Sequence, residues 1–75
     1  MPKNSFCPEL HKRMMAENEE YRKGYEHAIK CAARLIPTSP FELKKLAIIF
    51  ANFDQLNAKG MAYHYWELGN GLVAA

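Results

Sequence analysis

The sequence has little that would hold a small protein together by covalent bonds or through a bound metal. It contains only two cysteines, Cys7 and Cys31, which is too few for the disulfide framework of a small secreted domain. Glycine-rich phosphate loops, paired CxxC motifs and acidic metal-binding loops are also absent. The common signatures of nucleotide-dependent and metal-dependent enzymes are therefore missing.

Long apolar runs are missing as well. The longest apolar-rich stretch, Leu46 to Phe53, is far shorter than the roughly 20 residues that span a bilayer. The first ten residues, MPKNSFCPEL, lack the apolar run of a signal peptide. We therefore expect a cytoplasmic protein that makes no contact with a membrane and whose cysteines stay reduced.

An excess of charge of one sign is the third absence. Ten lysines and arginines against eight acidic residues leave a net charge of +2, which does not by itself indicate a nucleic-acid partner. The 49% of hydrophobic residues is ordinary for a globular protein. We expect one domain over residues 1–75, close to the lower size limit at which a core stabilises itself without help such as oligomerisation.

The strongest signal that is present is a helix predicted over about residues 40–68. Ser39 fits the N-cap, Pro40 the first helical position, and Glu42 completes a capping box. Between these ends, apolar residues recur at the helical spacing of three and four, namely Leu43, Leu46, Ala47, Ile49, Phe50, Phe53 and Leu56. At the other end, Gly69 fits a left-handed C-cap. Only Asp54 is charged between Leu46 and Ala58, so we expect more than one neighbour to cover this helix.

A second helix is predicted over about residues 8–36. Its apolar stripe includes Leu10, Met14, Tyr21, Tyr25, Ala28, Ile29, Ala32 and Leu35. Asn18 interrupts the stripe, and a break there with Asn18 as a new N-cap is an open alternative. Residues 37–39 form a short turn between prolines, which cannot continue a helix.

These elements predict an all-α fold, an antiparallel helical hairpin followed by an apolar tail over residues 69–75. A second break just before Gly60 would divide it into three or four helices. Gly24 is expected to face the region of Asn52 and Gly60 the region of Ala16, either as points of close helix approach or as tolerated weak points. Because one hairpin cannot cover its own apolar helix, we expect a homodimer that completes a four-helix bundle.

Two cysteine–histidine pairs have the spacing of half a zinc site. Cys7 and His11 are four residues apart, as are His27 and Cys31, which points each pair to one side of a helix. His11 and His27, however, would lie roughly 24 Å apart along one continuous helix. We therefore expect buried cysteines and boundary histidines rather than a metal site, and no cofactor.

An aromatic group near the end of the second helix is the candidate binding site. Tyr63, Tyr65 and Trp66 are residue types enriched at binding hot spots, and Leu72 in the tail could extend them. The alternative interpretation is that these aromatic residues belong to the core. His64 and Glu67 lie nearby, but the sequence places no nucleophile beside them, so no catalytic role is expected.

The sequence as a whole predicts a non-enzymatic protein-interaction module, such as a small adaptor, chaperone or inhibitor, whose protein partner it does not identify. The alternative is a small nucleic-acid-binding regulator that acts as a helical-bundle dimer. That alternative depends on basic residues interleaved with aromatic ones, namely Lys12, Arg13, Tyr21, Arg22, Lys23 and Tyr25. Four glutamates, Glu17, Glu19, Glu20 and Glu26, lie among them and would repel phosphate.

Overall fold

The fold is known from a computed structural model, which describes residues 6–32 and 39–73. These residues form four α-helices and no strand: α1 (Pro8–Glu17), α2 (Glu19–Ala32), α3 (Pro40–Ala51) and α4 (Leu56–Gly69). The prediction of an all-α fold is confirmed. Of the predicted turn at 37–39, only Ser39 belongs to the described residues, and the last two residues of the predicted tail lie outside them.

The helix predicted over 8–36 is interrupted at Asn18. This residue has an extended backbone, with φ −122° and ψ 111°. Its side-chain oxygen accepts a hydrogen bond of 2.9 Å from the backbone N–H of Tyr21, which is the N-cap interaction that starts α2. The break with Asn18 as a new cap, left open by the sequence, is therefore confirmed, and its cause is that the asparagine side chain competes with the backbone for the hydrogen bond.

The helix predicted over 40–68 is also interrupted, at a different place from the one expected. α3 ends at Ala51 and α4 starts at Leu56. A break in this helix, which the sequence left open, is therefore present, but its position just before Gly60, within residues 57–59, is wrong, because those residues already lie within α4. The backbone N–H of Phe53 bonds to the carbonyl of Phe50 at 3.2 Å, which tightens the last turn of α3. The connection Asn52–Gln55 then reverses the chain direction.

The predicted start of α3 is confirmed, and the end of α4 is shifted. The Ser39 hydroxyl accepts from the Glu42 N–H at 3.2 Å, and Pro40 opens the helix. At the end of α4 the left-handed residue is Gly71, with φ 70°, rather than Gly69. The N–H of Leu72 donates to the carbonyl of Glu67, and the N–H of Gly71 donates to the carbonyl of Leu68. This is the paired arrangement of a Schellman motif, which requires a glycine at that position.

Helix α4 lies at the centre of the fold and packs against both α2 and α3. Helix α3 runs antiparallel to α4, since Gly69 at the end of α4 lies against Pro40 and Lys44 at the start of α3. The longest dimension of the protein is 32 Å, shorter than the roughly 45 Å of two uninterrupted arms. The buried apolar residues are alanines and tyrosines: Tyr21, Ala28, Ala47, Ala51, Ala58, Ala62, Tyr63 and Tyr65.

Two glycines allow α2 and α4 to approach each other closely. A methyl group on Gly24 would overlap the backbone carbonyl of Asn57, and one on Gly60 would overlap that of Tyr21. The prediction of close helix approach at these glycines is therefore confirmed. The facing residues are Asn57 and Tyr21, instead of the expected regions of Asn52 and Ala16, because the two helix breaks change which residues meet.

The chain covers much of its own apolar surface, which changes the argument for a dimer. The sequence predicted a four-helix bundle made by two hairpins, whereas one chain supplies four helices among its described residues. The reversal at Asn52–Gln55 lets α4 cover one side of α3. None of the described helices combines the length and the apolar character needed to cross a bilayer.

Candidate protein-docking surface

The outer side of α3 carries the largest exposed apolar side chains of the described residues. The inward side of this helix includes Ala47 and Ala51, which are buried, and Leu43, Leu46 and Phe50, which are partly buried and pack against the core. Four large apolar residues are exposed in this helix and just after its end, and we call them the α3 face: Phe41 (67% exposed), Ile48 (42%) and Ile49 (50%) in the helix, and Phe53 (46%) in the connection that follows. A group of large exposed apolar residues is informative because such residues are normally buried.

The reason for the small inward residues lies in α4. Tyr65 of α4 is 3% exposed and forms the core with Ala28 and Ala47. A tyrosine ring fills the space between the helices, so the facing positions must be alanine. Phe50 flanks the same ring, with centroids 5.7 Å apart. Leu43 and Leu46 are partly buried against the same core, whereas Phe41, Ile48 and Ile49 stay exposed because α4 covers only one side of α3.

Charges are arranged unevenly along the α3 face. Lys44 and Lys45 lie in its first half, and Asp54 follows its last turn; all three are exposed. The Lys45 ammonium lies 5.5 Å from the centre of the Phe41 ring, within the range of a cation–π contact. The ion pairs found among the described residues include none of these three charges. The face is therefore apolar in its middle. Charges of both signs lie in the first turns of α3, where the exposed Glu42 accompanies Lys44 and Lys45, and Asp54 lies beyond the other end.

The α3 face has the size of a functional patch. Phe41 and Phe53, about two-thirds and one-half exposed, each leave on the order of 100 Å² of ring surface in water. With the two isoleucines the face reaches a few hundred Å², the scale of the largest apolar patch on a soluble monomer, which is often a binding site.

Leu72, a predicted partner-binding residue, lies at one end of this surface. It is 60% exposed, and it follows Gly69, which contacts Lys44. Val73 beside it is also exposed. The tail therefore adds apolar surface at the end of the bundle where α3 begins.

The other three predicted binding residues occupy a different environment. Tyr63 and Tyr65 are 4% and 3% exposed, so the alternative interpretation, that the aromatic group belongs to the core, describes these two residues. Trp66 is partly buried, and the ring of Phe6 stacks on it with centroids 5.2 Å apart and planes 3° apart. The face of the indole is thus covered by the segment that precedes α1.

A cluster of polar aromatic residues holds α1, α2 and α4 together. The His11 ring of α1 stacks on Tyr63 at 3.7 Å, and its Nδ1 lies 2.7 Å from the hydroxyl of Tyr21. Tyr25 donates a hydrogen bond of 2.6 Å to the Glu67 carboxylate. Helix α1 has no buried residue of its own. These contacts are therefore what links it to the rest of the bundle.

His64 belongs to the same cluster and is buried without a hydrogen bond to its Nδ1. The Glu67 carboxylate lies 3.6 Å from this nitrogen, which is longer than a hydrogen bond. Burial lowers the pKa of His64 and also that of His11, and the Glu67 charge opposes the shift in both. Both imidazoles are therefore neutral at neutral pH. The hydroxyls in this cluster's hydrogen bonds belong to Tyr21 and Tyr25.

Burial also raises the pKa of the tyrosines around these histidines. Desolvation is the first cause for Tyr21, Tyr25 and Tyr63, and the nearby Glu67 carboxylate adds to it. The hydroxyls therefore remain protonated at neutral pH, where Tyr25 donates its hydrogen bond to Glu67.

The four metal-ligand candidates do not meet in one place. The Cys31 thiol lies 3.3 Å from Nε2 of His27 on the exposed side of α2, while His11 is engaged by Tyr21. In the part of the chain that the structure describes, no group of three or more histidine, cysteine or acidic side chains is arranged to hold a metal ion.

The α3 face was not identified from the sequence. Ile49 and Phe53 were assigned to the apolar stripe that faces the core, and they lie outside it. The available signal was the pair Ala47 and Ala51, which marks the side of closest helix packing by its small size. Reading the stripe by size instead of by polarity would have placed the isoleucines outside.

Comparisons with protein-family models, with curated proteins and with solved structures find no match to this chain. Its function must therefore be argued from the surface just described.

Proposed function

We propose that this protein is a non-enzymatic protein–protein interaction module, a small adaptor, chaperone or inhibitor, that docks through the α3 face. The observation that supports the proposal is the exposure of four large apolar residues in and just after α3, Phe41, Ile48, Ile49 and Phe53. Phe41, Ile48 and Ile49 are not among the described residues that pack against the core of Ala28, Ala47 and Tyr65. Keeping large apolar residues there makes sense when another protein covers them.

The energetic scale is adequate for binding. Removing a few hundred Å² of apolar surface from water, at about 25 cal/mol per Å², yields several kcal/mol before the costs of association. The two phenylalanines have few rotatable bonds, so that little side-chain entropy is lost when they are held in an interface. Lys44, Lys45 and Asp54 form a charged rim that selects the orientation of the partner.

The proposed site replaces most of the one expected from the sequence. Leu72 stays in it as an exposed neighbour. Tyr65 packs beneath α3 against Ala47, and Tyr63 stacks on His11 of α1. Homodimerisation also stays a proposal: a second copy of the chain is one protein that could cover the face. A cytoplasmic location, expected from the lack of a signal-like segment, is part of the same proposal.

The test compares two matched variants in a pull-down from the native host. Ile49 is 50% exposed on the α3 face, and Ile29 is 46% exposed on α2. Ile49→Glu should abolish capture of the partner protein, while Ile29→Glu, the same change at a site of equal exposure, should leave it intact. Circular dichroism should give equal helicity for both variants.

Equal capture by both variants would contradict the proposal. A partner released steeply by moderate salt, with nucleic acid in the captured fraction, would instead favour the nucleic-acid-binding regulator, because phosphate contacts lose affinity as salt rises. Capture through apolar contacts should change little under the same conditions.

A further inference from the structure

We propose that α1 is a strap that covers an aromatic surface of the bundle and opens by straightening at Asn18 into line with α2. The aromatic surface consists of Tyr21 on α2 and of Tyr63 and Trp66 on α4. None of these residues belongs to the α3 face, so the inference goes beyond the proposed function.

The strap is held to the bundle by few contacts. Helix α1 has no buried residue. Its His11 ring stacks on Tyr63 and reaches the Tyr21 hydroxyl, and the Phe6 ring just before it stacks on Trp66. Helices α2 and α4 touch each other through their own backbones and do not need α1 for that contact. Segments with few buried contacts are the ones that open while the rest of a fold persists.

The hinge is a single residue. Asn18 is extended, yet its N–H donates to the Met14 carbonyl at 2.8 Å and its carbonyl accepts from the Arg22 N–H at 3.1 Å, as in a helix. Side chains supply two of the bonds that the break removes. The Asn18 side-chain oxygen accepts from the Tyr21 N–H at 2.9 Å, and the Arg22 guanidinium donates to the Met15 carbonyl at 3.0 Å.

A straight helix would replace both side-chain bonds by ordinary helical ones. The Met15 carbonyl would accept from the Glu19 N–H, and the Glu17 carbonyl from the Tyr21 N–H, each four residues further along. The apolar stripe of the sequence also continues across this position at helical spacing. The two arrangements therefore differ little in hydrogen bonding, and the aromatic contacts of the strap select the folded-back one.

Straightening uncovers the aromatic surface. On a straight helix His11 and Tyr21 would be separated by roughly 15 Å along the axis, so the contact of 2.7 Å between them must break. Tyr63, which is 4% exposed in the folded-back arrangement, then faces water, as does the indole face of Trp66. Because tyrosine and tryptophan are frequent at binding hot spots, opening turns residues that hold the strap into surface available for binding.

The first experiment changes the hinge. Asn18→Ala removes the cap that starts α2 and introduces a strong helix former, so it should populate the straight form. Trp66 is the only tryptophan of the chain, and its fluorescence therefore reports directly on the covered surface. We expect emission at a longer wavelength and stronger quenching by acrylamide, with helicity by circular dichroism at or above that of the wild type. Asn18→Asp keeps an oxygen acceptor at the cap and should behave as the wild type does.

Solution X-ray scattering of the same variants measures the straightening. A continuous helix over residues 8–32 is roughly 37 Å long, whereas the longest dimension of the folded-back protein is 32 Å. Asn18→Ala should therefore have a larger maximum dimension and radius of gyration than the wild type and Asn18→Asp.

The second experiment releases the strap without changing the hinge. His11→Ala removes the ring that stacks on Tyr63 and should also increase quenching of Trp66. Its loss of helicity should not exceed the ten residues of α1, and the remaining helices should still unfold cooperatively in urea. His27→Ala, the same change at an exposed histidine of α2, should leave the fluorescence of Trp66 unchanged.

Three outcomes would overturn the proposal. The first is wild-type quenching of Trp66 in both Asn18→Ala and His11→Ala. The second is exposure of Trp66 that accompanies loss of most of the helicity in both variants, because α1 would then unfold together with the other helices. The third is stronger quenching without a longer molecule in Asn18→Ala, which would contradict straightening at the hinge. None of these measurements involves the α3 face, so they are independent of the docking function.

Discussion

The two sides of α4 are packed by different chemistry. Towards α2, the backbones touch at Gly24 and Gly60, and the Tyr25 hydroxyl is bonded to Glu67. Towards α3, the ring of Tyr65 lies against Ala47 and Phe50, and the Lys59 ammonium donates to the Ala51 carbonyl at 3.0 Å. The first contact fixes position through backbone proximity and hydrogen bonds, and the second mainly through the packing of apolar side chains around one large ring.

The difference explains why the exposed apolar surface lies on α3. In the α2–α4 contact, residues of both helices pack closely against each other. The opposite side of α2 exposes charged side chains to solvent. The α3–α4 contact uses one side of α3, with Ala47, Leu43, Leu46 and Phe50 turned towards the core. Phe41, Ile48 and Ile49 lie outside that contact and form a second, exposed surface.

The largest effect is expected for Gly24→Ala, which tests the contact between α2 and α4. In an exposed helix, replacing glycine with alanine should stabilise by roughly 1 kcal/mol. Here the added methyl group overlaps the backbone carbonyl of Asn57, which cannot move without separating α2 from α4. We expect loss of most of the roughly 3–5 kcal/mol that a domain of this size has, seen as an unfolded circular dichroism spectrum.

Gly69→Ala is the matched control on the α3 side. The added methyl group would lie 2.8 Å from Cγ of Lys44, a flexible side chain that can turn away. It would also lie 3.2 Å from the Lys44 nitrogen and the Pro40 carbonyl oxygen, which need to shift by only a few tenths of an ångström. We expect a cooperative melt with only a modest change in midpoint. A Gly24→Ala protein that melts higher than the wild type would show that the two helix backbones do not touch.

The second prediction tests the α3–α4 contact through Tyr65→Ala. Truncating a buried aromatic residue typically costs about 3–5 kcal/mol, so this variant should be largely unfolded in the absence of a stabilising partner. Tyr65→Phe keeps the ring that packs against Ala47 and should melt close to the wild type. Urea titration of both variants measures the difference. Equal stability of the two would mean that the ring does not fill the space between the helices.

The third prediction concerns the polar contact of the α2–α4 side. Tyr25→Phe removes the hydrogen bond to the mostly buried Glu67 carboxylate, and bonds to charged groups contribute about 1.5–3 kcal/mol. We expect a loss in this range, measured by the urea midpoint. Tyr65→Phe, which removes a hydroxyl on the other side of α4, is the control and should lose clearly less.

Helix boundaries marked by side-chain caps were predictable from the sequence, and the reversal between α3 and α4 was not. Ser39 and Asn18 act locally, so that their caps can be recognised from a few neighbouring residues. The reversal at Asn52–Gln55 lies inside an apolar run whose helical period continues across it. Its position depends on the tertiary contact of Tyr65 with Ala47, and such contacts override local propensity.

The sequence predicted the type of the candidate site, but it did not predict the residues that form the α3 face. The sequence indicated an apolar and aromatic helix face, and such a face exists. It was assigned to Tyr63, Tyr65 and Trp66, because aromatic residues are frequent at hot spots and equally frequent in cores. Only the packing of α4 between two helices separates these roles, and periodicity alone does not contain that information.

The smallest expected effect concerns pH, and it again distinguishes the two sides of α4. His11 and His64 both belong to the α2 side, and burial holds their pKa values below the ordinary 6.5. Below pH 6.5 the unfolded chain takes up protons on these residues while the folded protein does not. The unfolded state then binds more protons, so stability falls as the pH falls from 6.5 towards the lowered pKa values.

The measurement is the urea midpoint at pH 7.5 and at pH 5.5 for the wild type and for His64→Gln. The wild type should be less stable at the lower pH, and the variant should show a smaller difference because one titrating group is gone. His27→Gln, a change at an exposed histidine of α2, should keep the wild-type difference. A His64→Gln protein with an undiminished pH dependence would contradict the assignment, since the buried His64 imidazole would then not couple protonation to folding. The Tyr65→Phe variant, altered on the α3 side of α4, should retain the full dependence, because neither histidine packs against α3.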